Sequence, residues 1–578
     1  MLRRTLLATT LLAAMPLIGV QAQTIYPIDR AEILSGSRFD LKVEFPGIVP
    51  ADKIKVTLNG RDVAQATGRP VEYLEREDGQ PASSILLRDV TLASPGIQVV
   101  TATDGTSTKS VSWEVYRSSA RVAKNVILFV GDGMSVANVT AARLLKGEIA
   151  EGKVRRPLAM DSLPHMAMVG TAGSDSIVTD SANSASAYNT GHKSAVNGLG
   201  VYASRAKDNL AHPRQETLGS LAKRNGIAVG IVSDAEIQDA TPAAVIANTR
   251  RRSDYVAITD QMLSVGPDVI LGGGSASFLP KSTPGSRRPD ERDMIAIYQQ
   301  QGYAVATSLA ELEAVAQSDS QKLLGLFHLG NMDTPLDRFY TKAATVPRFP
   351  DQPDLTDMTR IALRRLERNP GGFYLMVESA LIDKMNHPMD WERAIWSTIM
   401  LDNAVKLAQD WAQGRNDTLI IVVPDHTHGV SLTGTFDDDK PGDLREKLGI
   451  YEAAGFPNYP APDARGYPPR FDVSRRLALF ANNFPDYYET GRPVQEAPRT
   501  PAVAGPTAGQ YVANEAYRNV PNATLRTGNL PRSSSTAVHS GDDVVLRAQG
   551  PGSEKFHGYI DNTRVFRTMV EALGLGVD

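Results

Sequence analysis

The sequence predicts an α/β protein: a doubly wound, mostly parallel central sheet preceded by an all-β sandwich. Three observations carry this. Beyond Ala123, short continuous apolar runs recur, of the kind that suits strands buried on both faces. Helical stretches lie between those runs, and such alternation is the grammar of a doubly wound sheet. Before Arg117, by contrast, short alternating strands follow one another at regular spacing with turn signals between them, the pattern of a β-sandwich.

Residues 1–22 read as a secretory signal, with cleavage expected after Ala22. Arg3 and Arg4 form a short basic start, Leu6 to Val20 is apolar, and Val20-Gln21-Ala22 fits the small-residue cleavage rule. The apolar run is short and is followed directly by Gln21, Gln23 and Thr24, which disfavours a membrane anchor. The expected location is periplasmic or secreted, with no transmembrane segment.

Residues 23–118 then form the expected sandwich, immunoglobulin-like in its spacing. Phe39-Asp40-Leu41-Lys42-Val43-Glu44-Phe45 alternates apolar and polar as a half-buried strand does. Lys53 to Leu58 alternates again and ends in Asn59-Gly60, a hairpin turn signal. Ser84 to Leu87, Ile97 to Val100 and Val111 to Val115 complete the set. No His falls in this region, and its expected role is packing or spacing.

Residues 119–578 form the expected catalytic unit. Asn125 to Val130 is its first buried run, and Ser135 caps a helix reaching Lys146. Further runs lie at Ala228 to Val232, Val269 to Leu271, Phe373 to Val377 and Leu419 to Val423, with helices at Met358 to Arg368 and Trp391 to Gln413. Residues from about 430 to 535 lose this rhythm; they are rich in Pro and Tyr and read as a mostly irregular insertion partly covering the site.

Charge and composition narrow the chemistry. With 61 Lys+Arg against 65 Asp+Glu, the formal net charge of −4 argues against an electrostatic nucleic-acid surface. There is no cysteine, so a disulfide framework and a thiol nucleophile are excluded, and a transition metal must be held by His and carboxylates. Only nine His are available.

In a parallel sheet, functional residues gather beyond the carboxyl ends of the strands. Asp132 follows the first apolar run, Glu378 the run at Phe373, and Asp425-His426 the run at Leu419. Asp383 and His387 are four apart, so one helical turn stacks them on one face. The small residues after Ser181, with Gly191 as a terminator, predict a closely packed helix that places Ser181 at its N-terminus, where an anion is favoured. Taken alone, Ser181 reads first as a simple helix cap.

Together, Val130-Gly131-Asp132-Gly133-Met134, Thr179-Asp180-Ser181-Ala182, Gln238 to Ala244, Met376-Val377-Glu378, Asp383 to His387, Asp425-His426 and His539-Ser540-Gly541 resemble, in order, the motifs of the alkaline phosphatase family. The likeness runs from about residue 123 to the C-terminus and leaves the N-terminal β region outside. It implies an alkaline phosphatase-like fold, phosphate monoester hydrolysis, two Zn2+ and one Mg2+.

Residue by residue, the resemblance makes Ser181 the nucleophile that becomes phosphoserine. It places Asp383, His387 and His539 on the first zinc, and Asp132, Asp425, His426 and the Ser181 oxygen on the second. Asp132, Thr241 and Glu378 match the magnesium site, with Asp239 reaching it through water. Arg252 matches the phosphate clamp, beside Arg250 and Arg251; Lys384 matches a residue reaching phosphate through water, and His428 one close behind the zinc pair. His165, His192, His212, His328 and His557 are expected to be structural or superficial, His192 and His557 being nearest to motif segments. The expected partners are small phosphomonoesters and inorganic phosphate, and a homodimer is a common assembly in the family. Rival readings are a phosphodiesterase or sulfatase of the same superfamily, or a non-enzymatic surface-binding protein.

Overall fold

A computed structural model describes residues 23–576 apart from 318, 319, 321 and 493; the expected export signal at 1–22 lies outside the described residues. Among the described residues, no helix is long and apolar enough to cross a membrane.

Ten strands form the central sheet: β1 (Asn125–Gly131), β2 (His165–Gly170), β3 (Ala228–Glu236), β4 (Val269–Gly273), β5 (Tyr303–Ala306), β6 (Lys322–Leu326), β7 (Phe373–Ser379), β8 (Thr418–Val423), β9 (Val544–Gln549) and β10 (Tyr559–Asp561). Their order across the sheet is β5-β6-β4-β3-β7-β1-β8-β9-β2-β10. Only β9 opposes the rest, pairing antiparallel with both β8 and β2. The site strands β7, β1 and β8 are adjacent and in register, Val130 lying opposite both Glu378 and Val423.

The continuous apolar character of β1 follows from burial on two faces. Val126, Leu128 and Val130 point to one core with Ala182, Tyr188, Phe566 and Met569, while Ile127 and Phe129 point to the other with Val139, Ile361, Ile399 and Leu401. Helices α1 (Val136–Gly147), α4 (Leu355–Leu366) and α6 (Trp391–Ala412) cover one face, and α2 (Ser181–Thr190) and α7 (Thr563–Leu573) the other, with the short helices α3 (Ala240–Ala244) and α5 (Leu381–Asn386) at the strand ends. Ser135 caps α1 by accepting from Asn138 N–H.

In the N-terminal region, a four-stranded sheet (Thr24–Tyr26, Phe39–Glu44, Ser84–Val90, Glu72–Leu74) faces a five-stranded one (Glu32–Leu34, Thr108–Tyr116, Gly96–Thr103, Lys55–Leu58, Arg61–Asp62). They share a core that includes Phe39, Leu41, Val43, Val100, Val111 and Trp113. The alternation in Phe39–Glu44 predicts a solvated polar face, but every residue of the strand is buried. Residues 204–216 of the α/β region cover that face, Arg214 pairing Asp40 and Ser204 accepting from Lys42, so Asp40 and Lys42 are each only 1% exposed.

The segment after β8 is more regular than its composition suggests. Val430–Asp437, Leu448–Gly449 and Arg475–Ala481 form a three-stranded antiparallel sheet, and two further ribbons join Tyr487–Glu489 to Thr524–Arg526 and Ala502–Ala504 to Tyr511–Ala513. Short strands interrupted by Pro leave little periodicity to read.

Candidate active site and metal centre

All the candidate residues except Arg252 and His539 lie on or just beyond elements whose ends meet at one sheet edge. Asp132 follows β1, Glu378 lies in β7, and Asp425-His426 follow β8. His539 joins them because the chain leaves and returns at the site: Thr427–His428 pairs antiparallel with His539–Ser540.

Ser181 is the first residue of α2, and the Asp180 side chain caps that helix by accepting from Asn183 N–H. All ten residues of α2 are buried; their small side chains let it approach the strand ends, and Ser184 and Tyr188 hydroxyls donate to the Asp425 and Pro424 carbonyls. Ser181 Oγ lies 3.2 Å from His426 Nε2 and 3.5 Å from Asp132 Oδ1. His426 Nε2 is also 3.2 Å from Asp132 Oδ1 and 3.4 Å from Asp425 Oδ2. Asp132, Asp425 and His426 can thus surround one ion beside the serine oxygen.

A second cluster centres on Asp383 Oδ1, which lies 2.6 Å from His428 Nε2 and 3.4 Å from Nε2 of both His387 and His539. His387 Nδ1 is 2.7 Å from the Ala537 carbonyl and His539 Nδ1 is 2.9 Å from the Thr179 carbonyl. Each Nδ1–H donates there, so each Nε2 presents its lone pair to the cluster, the arrangement a metal-binding imidazole needs. Asp383, His426, His428 and His539 together form a second group able to hold an ion.

Arg252 bridges two carboxylates, donating to Asp180 Oδ2 at 3.3 Å and Asp239 Oδ1 at 2.8 Å. Lys384 Nζ sits 3.0 Å from Asp239 Oδ2. These groups and the two outer histidines keep partial exposure, whereas the side chains of Asp132, Asp383, Asp425 and His426 are at most 3% exposed. The site therefore has a buried anionic floor and a half-open rim carrying Arg252 and Lys384.

Its electrostatics follow from that burial. Burial, reinforced by Asp383, pushes the Asp132 carboxyl up to about 6. Burial and nearby carboxylates, Asp132 first, hold Glu378 and Asp425 well above the usual range. Burial also works against the charge on Asp383, yet His387, His428 and His539 hold its carboxyl well below the usual range. Asp239 is likewise held low against burial by Lys384 and Arg252. Burial and His539 keep His426 far below the usual imidazole range, and burial brings His428 down to about 3.

The donor set fits bound cations. Among the described residues, Asp425 Oδ2 and Thr241 Oγ1 are buried without a hydrogen-bond partner, a costly state unless something else satisfies them. Carboxylate and imidazole donors suit zinc, and Thr241, Glu378 and Asp132, expected together from the sequence, offer oxygen alone, which suits a harder ion. Helix α3, which carries Thr241, packs against β3 and β7.

Two carboxylates hold this edge in shape, one of which sequence reasoning passed over. Asp234, after the run Ala228 to Val232, accepts from Ala380 N–H at 2.7 Å, Leu381 N–H at 3.1 Å and the Ser379 hydroxyl at 3.0 Å, which fixes the turn between Glu378 and Asp383. Its neighbour Ser233 donates to Glu378. The strand-end rule that marked Asp132 marks this pair as well. Asp180, present in a motif but given no role, caps α2 and orients Arg252. The other histidines lie elsewhere: His192, His212 and His328 bond Tyr202, Ser204 and Thr345, His165 is half-buried in β2, and His557 is exposed.

A family model described as "Alkaline phosphatase" matches residues 123–453. The chain is 36% identical over 352 residues to alkaline phosphatase H of Pseudomonas aeruginosa, covering 54% of this chain and 71% of that one. It is 35% identical over 374 residues to the alkaline phosphatase of Escherichia coli, covering 58% and 76%. The Thermus thermophilus alkaline phosphatase structure superposes with a TM-score of 0.57 at 26% identity, over 79% of this chain and 93% of that one. The alkaline phosphatase of the Antarctic bacterium TAB5 shares the fold, with a TM-score of 0.53 at 21% identity over 79% and 99%. The chain belongs to the alkaline phosphatase family and is a phosphoric monoester hydrolase.

Proposed function

We propose that this phosphatase works through a phosphoserine on Ser181, at a centre of two zinc ions and one magnesium ion, and that residues 1–22 export it. The observation that carries the reading is the placement of Ser181 Oγ at the N-terminus of α2, between His426 and Asp132. Asp383, His387 and His539 would hold one zinc, Asp132, Asp425 and His426 the other, and Asp132, Thr241 and Glu378 magnesium, with Asp239 reaching it through water. Such ions supply a lowered serine and water pKa and neutralise charge on the transferring phosphoryl group.

The chain's own residues supply position. Asp180 and Asp239 hold the Arg252 fork from two sides, and its remaining N–H groups bind phosphoryl oxygens. Free N–H groups in the first turn of α2 favour the anion, and Lys384 adds positive charge. Ser181 Oγ gives up its proton and attacks phosphorus as the P–O bond to the leaving group breaks, and the departing oxygen takes up a proton in exchange. Water then attacks the phosphoserine, the P–Oγ bond breaks, and Ser181 regains its proton as phosphate leaves. The domain division proposed with this reading is a β-sandwich accessory domain at 23–118 and a catalytic domain at 119–578 with an insertion at about 430–535.

Ser181→Ala is expected to cut p-nitrophenyl phosphate turnover by on the order of a thousandfold or more. It should also abolish acid-trapped labelling of the protein by phosphate. Full activity in that variant would overturn the reading.

A further inference from the structure

The polar face of the strand Phe39–Glu44 is buried against residues 204–216, and both partners use charge there. Asp40, 1% exposed, accepts from Arg88 at 2.6 Å, from Asp89 N–H at 3.1 Å, and from Arg214 through N–H at 3.0 Å and Nε at 3.2 Å. Its own N–H donates to the Arg214 carbonyl at 2.9 Å. Lys42, equally buried, lies 3.1 Å from Glu44 and donates to Ser204 at 3.0 Å, and it also pairs with Glu77. Arg205 of the α/β region donates to the Phe45 and Ser83 carbonyls. A buried charge such as Asp40, partly satisfied from the other side, makes displacing the two regions costly, because moving them apart would leave it short of partners.

From this junction a run of backbone pairings leads to Arg252. Phe39 bridges Gln215, Arg214 bridges Val201, and Leu199 bridges Thr249. Asn248 ties the rungs by donating to the Gly200 and Gln215 carbonyls at 2.7 and 2.9 Å. Leu199 and Thr249 exchange both N–H bonds, Arg250 N–H donates to Asn209, and Arg252 N–H donates to the Asn197 carbonyl at 2.9 Å. Asn197 N–H in turn donates to Asp180, the residue that caps the Ser181 helix and pairs with Arg252. Residues 197–216 thus touch the N-terminal strand at one end and the backbone of the clamp at the other.

We infer that the N-terminal β unit positions the phosphate clamp: its strand Phe39–Glu44, pinned by Asp40, holds the 197–216 segment in the register that places Arg252. Asp40 is a positioning residue for phosphate, acting through Arg252. The inference rests on the reading of Arg252 as the group that binds phosphate.

The test uses the full metal-loaded chain and reads inhibition by inorganic phosphate, KM and kcat for p-nitrophenyl phosphate, and bound zinc. Asp40→Asn keeps the shape but removes the charge and exchanges one acceptor oxygen for a donor. It should raise the phosphate inhibition constant and KM together, on the order of tenfold, with zinc content unchanged. Arg252→Ala should weaken phosphate by more, and adding Asp40→Asn to it should weaken phosphate no further, since the two act on one contact. Should Asp40→Asn fail to fold, Arg214→Leu removes the partner on the other side while Asp40 keeps Arg88, and the same non-additivity is expected. Unchanged phosphate affinity in a folded Asp40→Asn or Arg214→Leu protein, or effects that add to those of Arg252→Ala, overturns the inference and leaves the clamp reading intact. Unchanged affinity in Arg252→Ala overturns the clamp reading and the inference with it.

Discussion

Gly133 turns the chain just after Asp132 with φ of +63°, a conformation that L side chains rarely adopt. A Cβ there would lie 2.9 Å from both Asp383 Oδ1 and His428 Cδ2. Gly133 N–H also donates to Asp425 Oδ1 at 3.0 Å, and its carbonyl accepts from Asn386. One residue thus spaces the carboxylates of both clusters, and backbone freedom and close approach are both required. Gly133→Ala is expected to destabilise the protein by about 1–3 kcal/mol from backbone strain alone. Zinc content should fall with it, because the displaced atoms belong to the candidate ligands. Denaturant melts and elemental analysis check this, and an Ala variant with normal stability and full zinc would count against the crowding described. Gly133 sat inside a recognisable motif, yet the reason for it was not legible, since a contact with Asp383 spans 250 residues of chain.

At the scale of elements, strand ends were the legible part. Asp132, Glu378 and Asp425 each end a run whose apolar continuity already implies burial on both faces, so position in the run predicted position in space. The strand Phe39–Glu44 misled for the complementary reason: alternation reports which side chains are polar, and a polar face reads the same whether water or a charged partner covers it. The end of α2 belongs to the same junction. Gly191 closes the helix in the left-handed conformation, and the next residue, His192, hydrogen-bonds Tyr202 at 2.9 Å. Tyr202 stacks on Tyr26 of the N-terminal strand Thr24–Tyr26. Burial lowers the His192 imidazole from 6.5 to about 4. The folded state therefore binds fewer protons than the unfolded chain between those values. The stability contributed by neutral His192 is present in full above pH 6.5 and is lost as pH falls toward 4, by at most about 1.4 kcal/mol per pH unit. In thermal melts, the native protein should lose more stability than His192→Gln across that window, while the two run parallel above pH 7. Parallel curves down to pH 4 would show that His192 does not carry this acid sensitivity.

For the molecule as a whole, the absence of cysteine leaves no disulfide to restrain the unfolded chain. Asp132, Glu378, Asp383 and Asp425 meanwhile crowd one edge of the sheet, each at most 2% exposed. Like charges buried together oppose folding unless cations or protons neutralise them. The orphaned Asp425 Oδ2 and Thr241 Oγ1 add unsatisfied polar atoms among the described residues. This edge is therefore costly without neutralisation, and ions that bind the folded state alone would stabilise it by mass action, about 4 kcal/mol at a thousand times Kd. The β7–α5 turn held by Asp234 and the His428–His539 pairing bring distant chain segments together at the candidate ligands, so ions bound there would tie β1, β7, β8 and the segment returning at His539 to one another. Chelation at neutral pH is expected to lower the melting temperature by several degrees and abolish phosphatase activity, with zinc and magnesium together restoring both. The Asp425→Asn, Asp132→Asn double variant removes two of the four charges. It should melt closer to its own chelated form than the native protein does to its own. A native melting temperature that chelation leaves unmoved, with the metals shown to be gone, would mean that the buried carboxylates are neutralised from within the chain.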